Sequence, residues 1–83
     1  MPLIFRWDRS KAKSNLKKHD VSFEEASTAF GDSLSYTIPD PDHSEGESRF
    51  LTLGMTSAGR LVVVSFSEQG DNVRVISARL ATR

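Results

Sequence analysis

The chain has 83 residues, enough for one small domain and too few for two. Hydrophobic residues make up 37% and charged residues 27%, a globular balance rather than a disordered or fibrous one. No cysteine is present, which excludes disulfides and thiolate metal or redox centres, and the longest apolar run, Leu61–Val64, is far short of the ~20 residues a membrane helix needs.

Residues 1–11 show no apolar stretch behind a basic start, so no signal peptide is read and a cytoplasmic domain spanning residues 1–83 is expected. The net charge is zero, but its parts are segregated. Residues 1–20 carry +4 through Arg6, Arg9, Lys11, Lys13, Lys17 and Lys18 against Asp8 and Asp20. Residues 21–48 carry −7 with no basic residue, and residues 49–83 carry +3, all their cations being arginine. A basic head and an arginine-rich tail that met in space would hold a polyanion; otherwise the blocks attract one another or sit solvated.

In chain order, Leu3–Arg6 reads as a short strand. Asp8 is placed to cap a helix to about Lys18, with Trp7 before the cap facing Ala12. Ser22-Phe23-Glu24-Glu25 is a capping box for a second helix, whose buried stripe is Phe23, Ala26 and Phe30 and whose left-handed end falls on Gly31. From Leu34 the period becomes alternating: Leu34, Tyr36 and Ile38 form one strand, Arg49–Leu53 another, Arg60–Ser67 a central one, and Asn72–Ala78 the last. The short glycine-containing connectors at 56–59 and 69–71 predict an antiparallel meander. The predicted fold is therefore α+β, two helices on one face of a four- to five-stranded antiparallel sheet in the order β-α-α-β-β-β-β. Phe23, Phe30, Leu51, Val63 and Val75 are the expected shared core.

Two sets of residues carry possible chemistry. The loop Asp40–Glu47 offers several oxygen and nitrogen ligands, but the calcium-loop pattern requires Gly and Glu where Glu45 and Leu51 stand, so no metal is predicted. The second set is cationic: Lys18, His19, Arg49, Arg74 and Arg79. An arginine on a strand needs a buried acid or an external anion to offset its desolvation. Cleavage of RNA without metal needs a base for the 2′-hydroxyl, cations around the phosphorane, and an acid for the leaving 5′-oxygen. Histidine titrates in the useful range for such a base, which makes His19 one candidate and Glu47 the second. Against this, His19 would equally compensate a helix dipole, and Arg49 and Arg74 would equally pair with Glu24, Glu25 or Glu47.

The ordered segments Phe5-Arg6-Trp7-Asp8, Asn15-Leu16-Lys17-Lys18-His19, Val21–Ala26, Asp40–Ser44, Glu47-Ser48-Arg49 and Val75–Arg83 together resemble the BrnT family of toxins. The resemblance implies a type II toxin–antitoxin ribonuclease with a RelE-like fold, cleaving RNA without a cofactor and arresting translation. It implies a BrnA-like antitoxin of the ribbon-helix-helix type, a heterotetramer with it, and contact with operator DNA through the antitoxin alone. The family's polar signature falls on Lys18, His19, Arg49, Arg79 and Arg83, with Trp7 and Asn15 structural. Taken with Arg74 of the cationic set, the catalytic candidates are His19, Arg49 and Arg79 and the RNA-binding ones Lys18, Arg74 and Arg83. Asp20 replaces the family's usual glycine after the helix-ending histidine, a substitution the left-handed region tolerates. The family also has a basic helix past Thr82, whereas this sequence ends at Arg83. Two other readings follow: an RNA- or antitoxin-binding module weakened by lack of that helix, and a purely structural domain that pairs its sheet edge with a partner strand.

Overall fold

The computed structural model describes residues 3–41 and 48–81. Strand β1 (Ile4–Arg6) leads into α1 (Arg9–His19) and α2 (Phe23–Thr28), which runs on as a 3-10 turn over Ala29–Gly31. Strands β2 (Tyr36–Pro39), β3 (Arg49–Met55), β4 (Leu61–Gln69) and β5 (Asn72–Leu80) follow. Among the described residues they form one five-stranded sheet in the order β1-β5-β4-β3-β2, with β4 central as its doubly apolar sequence implies. Among those residues no helix is long and apolar enough to cross a membrane.

The local signals explain the helices. Asp8 accepts from Lys11 N at 3.1 Å and opens α1, and Ser22 accepts from Glu25 N at 3.0 Å and opens α2. Asp20 ends α1 in the left-handed region at φ 59°. Two expectations fail here. Gly31 does not take a left-handed φ; the 3-10 turn closes instead through Asp32 N donating to Ala29 O. The reciprocal half of the capping box is also missing, because the Glu25 carboxylate is engaged by Arg60 and Thr56.

The meander β2–β5 is antiparallel, as the connectors dictate, but β1 lies parallel to β5, so the sheet is mixed at that edge. Both helices separate β1 from β2, which sits at the opposite edge. The direction of β1 is set by its distant partner and not by any turn. Beyond Arg74, β1 no longer covers the β5 edge, and Asn15 of α1 takes over. Its amide nitrogen donates to Ala78 O (2.8 Å) and Val21 O (3.0 Å), and its oxygen accepts from Ala78 N (3.1 Å). The carboxamide thus acts as a one-residue strand and satisfies the edge.

Val21, Phe23, Ala26 and Ala29 pack on Val62, Val64, Phe66, Val73, Val75 and Ala78 to form the core. Phe30 bridges outward, its ring centroid 5.2 Å from Phe5 and 4.9 Å from Phe66. Leu51 and Val63 are not core residues. They stand on the sheet face that the helices leave open, because the other phase of the run Leu61–Val64 carries Val62 and Val64 inward. Gly54 lets the 3-10 turn approach β3: a Cβ there would lie 2.8 Å from Ala29 O.

Candidate nucleic-acid interface

The sheet register places the arginines. Arg6 pairs with Arg74, Arg74 with Ser67, and Ser67 with Arg49, so these four residues form one row across β1, β5, β4 and β3. Paired residues share a face, and this face is the one opposite the helices, since the neighbouring Phe66 and Val75 point into the core. Next along the strands is the row Ser77–Ser65–Leu51–Ile38, and then, two residues further along β4, Arg79–Val63–Leu53–Tyr36. Strict alternation would put Arg74 and Arg79, five apart, on opposite faces. A bulge opposite Ser65/Phe66 leaves Ile76 without a partner and restores the phase. Burial shows the same shift, with Val75 and Ala78 both buried at a spacing of three.

The open face is therefore divided. Its β5 half carries Arg74, Arg79 and serines; its β2 half carries Tyr36 (67% exposed), Ile38, Leu53 and Met55, and Leu34 (88%) is exposed in the turn just before β2 rather than in the strand the sequence predicts. Two clefts flank the cationic half. Arg6, Arg74, Ser67, Gln69 and Asn72 line one of about 280 Å³, in which Arg6 Nε donates to Asn72 Oδ1 at 3.2 Å. The other, of about 200 Å³, lies between α1 and the β5 edge and is lined by Lys11, Ser14, Asn15, Lys18, His19, Ile76 and Ser77. The predicted residues thus fall in two adjoining places. Arg49, Arg74 and Arg79 share the open face, while Lys18 and His19 face its β5 edge across from Ser77. Arg83 lies outside the described residues, as do Asp42, His43, Glu45 and Glu47 of the acidic loop.

Arg60, which the sequence reading did not single out, is paired with acids. Arg60 Nε donates to Glu25 Oε2 at 2.9 Å, and its other end reaches Asp20 O at 2.8 Å. Thr56 adds a hydroxyl donor to the same carboxylate at 2.8 Å. The Arg60 guanidinium holds the Glu25 carboxyl below its ordinary pKa, with Thr56 helping and desolvation opposing. This network ties the start of α2 to the β3–β4 turn, and its role is structural. Among the described residues Arg74 and Arg79 form no ion pair, so Glu24 and Glu25 do not neutralise Arg74. Arg6 was counted in the basic head but not in the candidate site. Alternation of Phe5 and Arg6 gave its phase, while its proximity to Arg74 depends on the parallel pairing.

Residues 7–83 match the family model described as ribonuclease toxin, BrnT, of type II toxin-antitoxin system. The chain belongs to the BrnT family. BrnT toxins partner with an antitoxin in type II systems, and the structure agrees with a solved relative, the ribonuclease toxin BrnT of Brucella abortus. That match has a TM-score of 0.75 at 21% identity and covers 98% of this chain and 99% of that one. No curated protein matches the sequence. In this chain the fold thus leaves Arg6, Arg49, Arg74 and Arg79 on the uncovered sheet face.

Proposed function

We propose that residues 1–83 form one toxin domain that cleaves RNA in the cytoplasm without a metal ion and thereby arrests translation. A DNA-binding antitoxin of the ribbon-helix-helix type neutralises it in a heterotetramer, and operator DNA is contacted through that antitoxin alone. The observation that carries this reading is the register of the open face, which brings Arg49, Arg74 and Arg79 to one side with His19 and Lys18 at its edge.

The chemistry needs no group the chain lacks. The RNA 2′-hydroxyl attacks the adjacent phosphorus as His19 takes its proton. The new 2′-oxygen–phosphorus bond forms while the bond to the 5′-oxygen breaks, and that oxygen takes a proton from solvent water as it leaves, the water being restored when His19 gives up the proton it took. Arg79 meets the extra negative charge of the phosphorane, and Arg49, which the register puts in the Arg74 row about 13 Å further along the sheet, holds a neighbouring phosphate with Lys18, Arg74 and Arg83.

The test is cleavage of RNA by the purified chain in EDTA, with the ends identified by mass spectrometry. A 2′,3′-cyclic phosphate and a 5′-hydroxyl are expected. Arg79→Ala should lower kcat by about 10²–10³-fold, the loss typical of one donor to a developing oxyanion. Its exposure and lack of an ion pair among the described residues leave the fold intact. Activity abolished by EDTA, or undiminished in Arg79→Ala, would refute the mechanism. RNA affinity without cleavage would favour a binding module. For the antitoxin, co-expression with the product of the neighbouring reading frame should give a complex by size-exclusion chromatography; separate elution would count against it.

A further inference from the structure

The cleft at the end of the sheet has a lining suited to one kind of ligand. Arg6 and Arg74 stand side by side in the parallel pair β1–β5, with two exposed like charges on neighbouring strands. Such a pair is unfavourable by itself and becomes favourable when an anion lies between. Ser67 forms the floor of the cleft and is buried, while Gln69 and Asn72 form its wall. Asn72 Oδ1 accepts from Arg6 Nε, which fixes the guanidinium and leaves its terminal N–H groups to point elsewhere. Among the described residues the lining contains no carboxylate. Two guanidiniums, a hydroxyl and two carboxamides make a donor-rich cradle for a tetrahedral oxyanion.

We propose that the Arg6–Arg74 cleft is a phosphate subsite for single-stranded RNA, holding a phosphodiester other than the scissile one. This rests on the ribonuclease reading above and extends it to a residue that reading does not use. Ser67, in the Arg74 row, is four residues from Val63, in the Arg79 row, or about 13 Å at the rise of a strand. A phosphate in the cleft is therefore too far from Arg79 to be the one under attack. The site positions the strand on the sheet and takes no part in bond breaking.

The experiment uses the whole chain and an RNA oligonucleotide bearing 2′-O-methyl groups, which cannot be cut by 2′-hydroxyl attack, with binding followed by fluorescence anisotropy across a salt series. Arg6→Gln should weaken binding about tenfold and reduce the slope of log K against log salt by about 0.7, the value for one phosphate contact on a single strand. Arg6→Lys should keep the slope. With cleavable RNA, Arg6→Gln should raise KM and leave kcat unchanged. Arg6 is exposed on an edge strand, and circular dichroism checks that the variant folds as the parent does. An unchanged slope in a folded Arg6→Gln variant, or no affinity of the parent chain for the oligonucleotide, would overturn the proposal. Binding with this dependence by a chain that cuts no RNA would instead refute the cleavage reading and leave the phosphate site standing.

Discussion

Asn15 offers the sharpest test of how the β5 edge is held. It is 6% exposed and makes three hydrogen bonds, two of them closing on the N–H and C=O of Ala78. In Asn15→Ala, Ala78 N, Ala78 O and Val21 O lose their partner at once. Each buried backbone group left unsatisfied costs about 1–3 kcal/mol, and water entering from the adjoining α1–β5 cleft recovers part of it, so a net loss of about 3–5 kcal/mol is expected. A domain of this length has roughly 4–12 kcal/mol of total stability, so the variant should be close to unfolding at room temperature. Asn15→Asp separates the donor from the acceptor. Its carboxylate can still accept from Ala78 N but would face two carbonyl oxygens, which raises its folded pKa above the unfolded value of about 3.9. Measured against the parent chain at each pH, that variant should be less destabilised below pH 4 than at pH 7, because the folded state binds the proton more tightly and this advantage disappears as pH rises through the folded pKa. Urea unfolding followed by the fluorescence of the single tryptophan, Trp7, whose ring lies 5.9 Å from that of Phe23, reports both effects. A loss under about 1 kcal/mol in Asn15→Ala would refute the strand-mimic account.

Other outcomes follow from the same structure. Gly54→Ala should cost about 1–3 kcal/mol by thermal or urea unfolding, because its Cβ would press on Ala29 O at 2.8 Å and Ser35 Cβ at 3.1 Å, the first of them backbone. Glu25 has a lowered folded pKa, caused first by Arg60, so its stabilisation is present above the unfolded glutamate value of about 4.3 and is lost as pH falls through the folded one. Glu25→Gln should therefore flatten the acid limb of a stability–pH profile; an unchanged limb would count against the pair. His19→Ala should reduce kcat as severely as Arg79→Ala if the imidazole carries the proton, and only slightly if it serves the helix end alone, as rate measurements at fixed pH will show.

The elements with local causes were legible. Asp8, Ser22 and Asp20 bound the helices through side-chain oxygens or a tolerated left-handed turn, and each acts within a few residues. The meander followed from short connectors and alternating strands. What escaped depended on distant partners. Glu25 fits a capping box in sequence, yet Arg60, 35 residues away, offers its carboxylate a charged fork that a backbone amide cannot match. The run Leu61–Val64 is apolar in both phases, so nothing local decided whether Val63 or Val62 faced the helices. Parallel pairing of β1 with β5 likewise has no turn to announce it.

The bulge at Ile76 bears most directly on function. Counting alternate residues along β5 separates Arg74 from Arg79 and assigns one of them to the core, where an unpaired guanidinium would be severely destabilising. The strand predicted from sequence ends at Ala78 and so never meets the conflict; with β5 running to Leu80, Arg74 and Arg79 at an odd spacing, and buried Val75 and Ala78 also at an odd spacing, share their proper faces only because one residue between them drops out of register. Because the helices use one sheet face for the core, the extra residue leaves both arginines on the other, in the row order Arg74, Ser77, Arg79. The cationic face is thus a consequence of core packing along β5: moving Val75 and Ala78 inward on either side of Ile76 obliges Arg74 and Arg79 to point outward together.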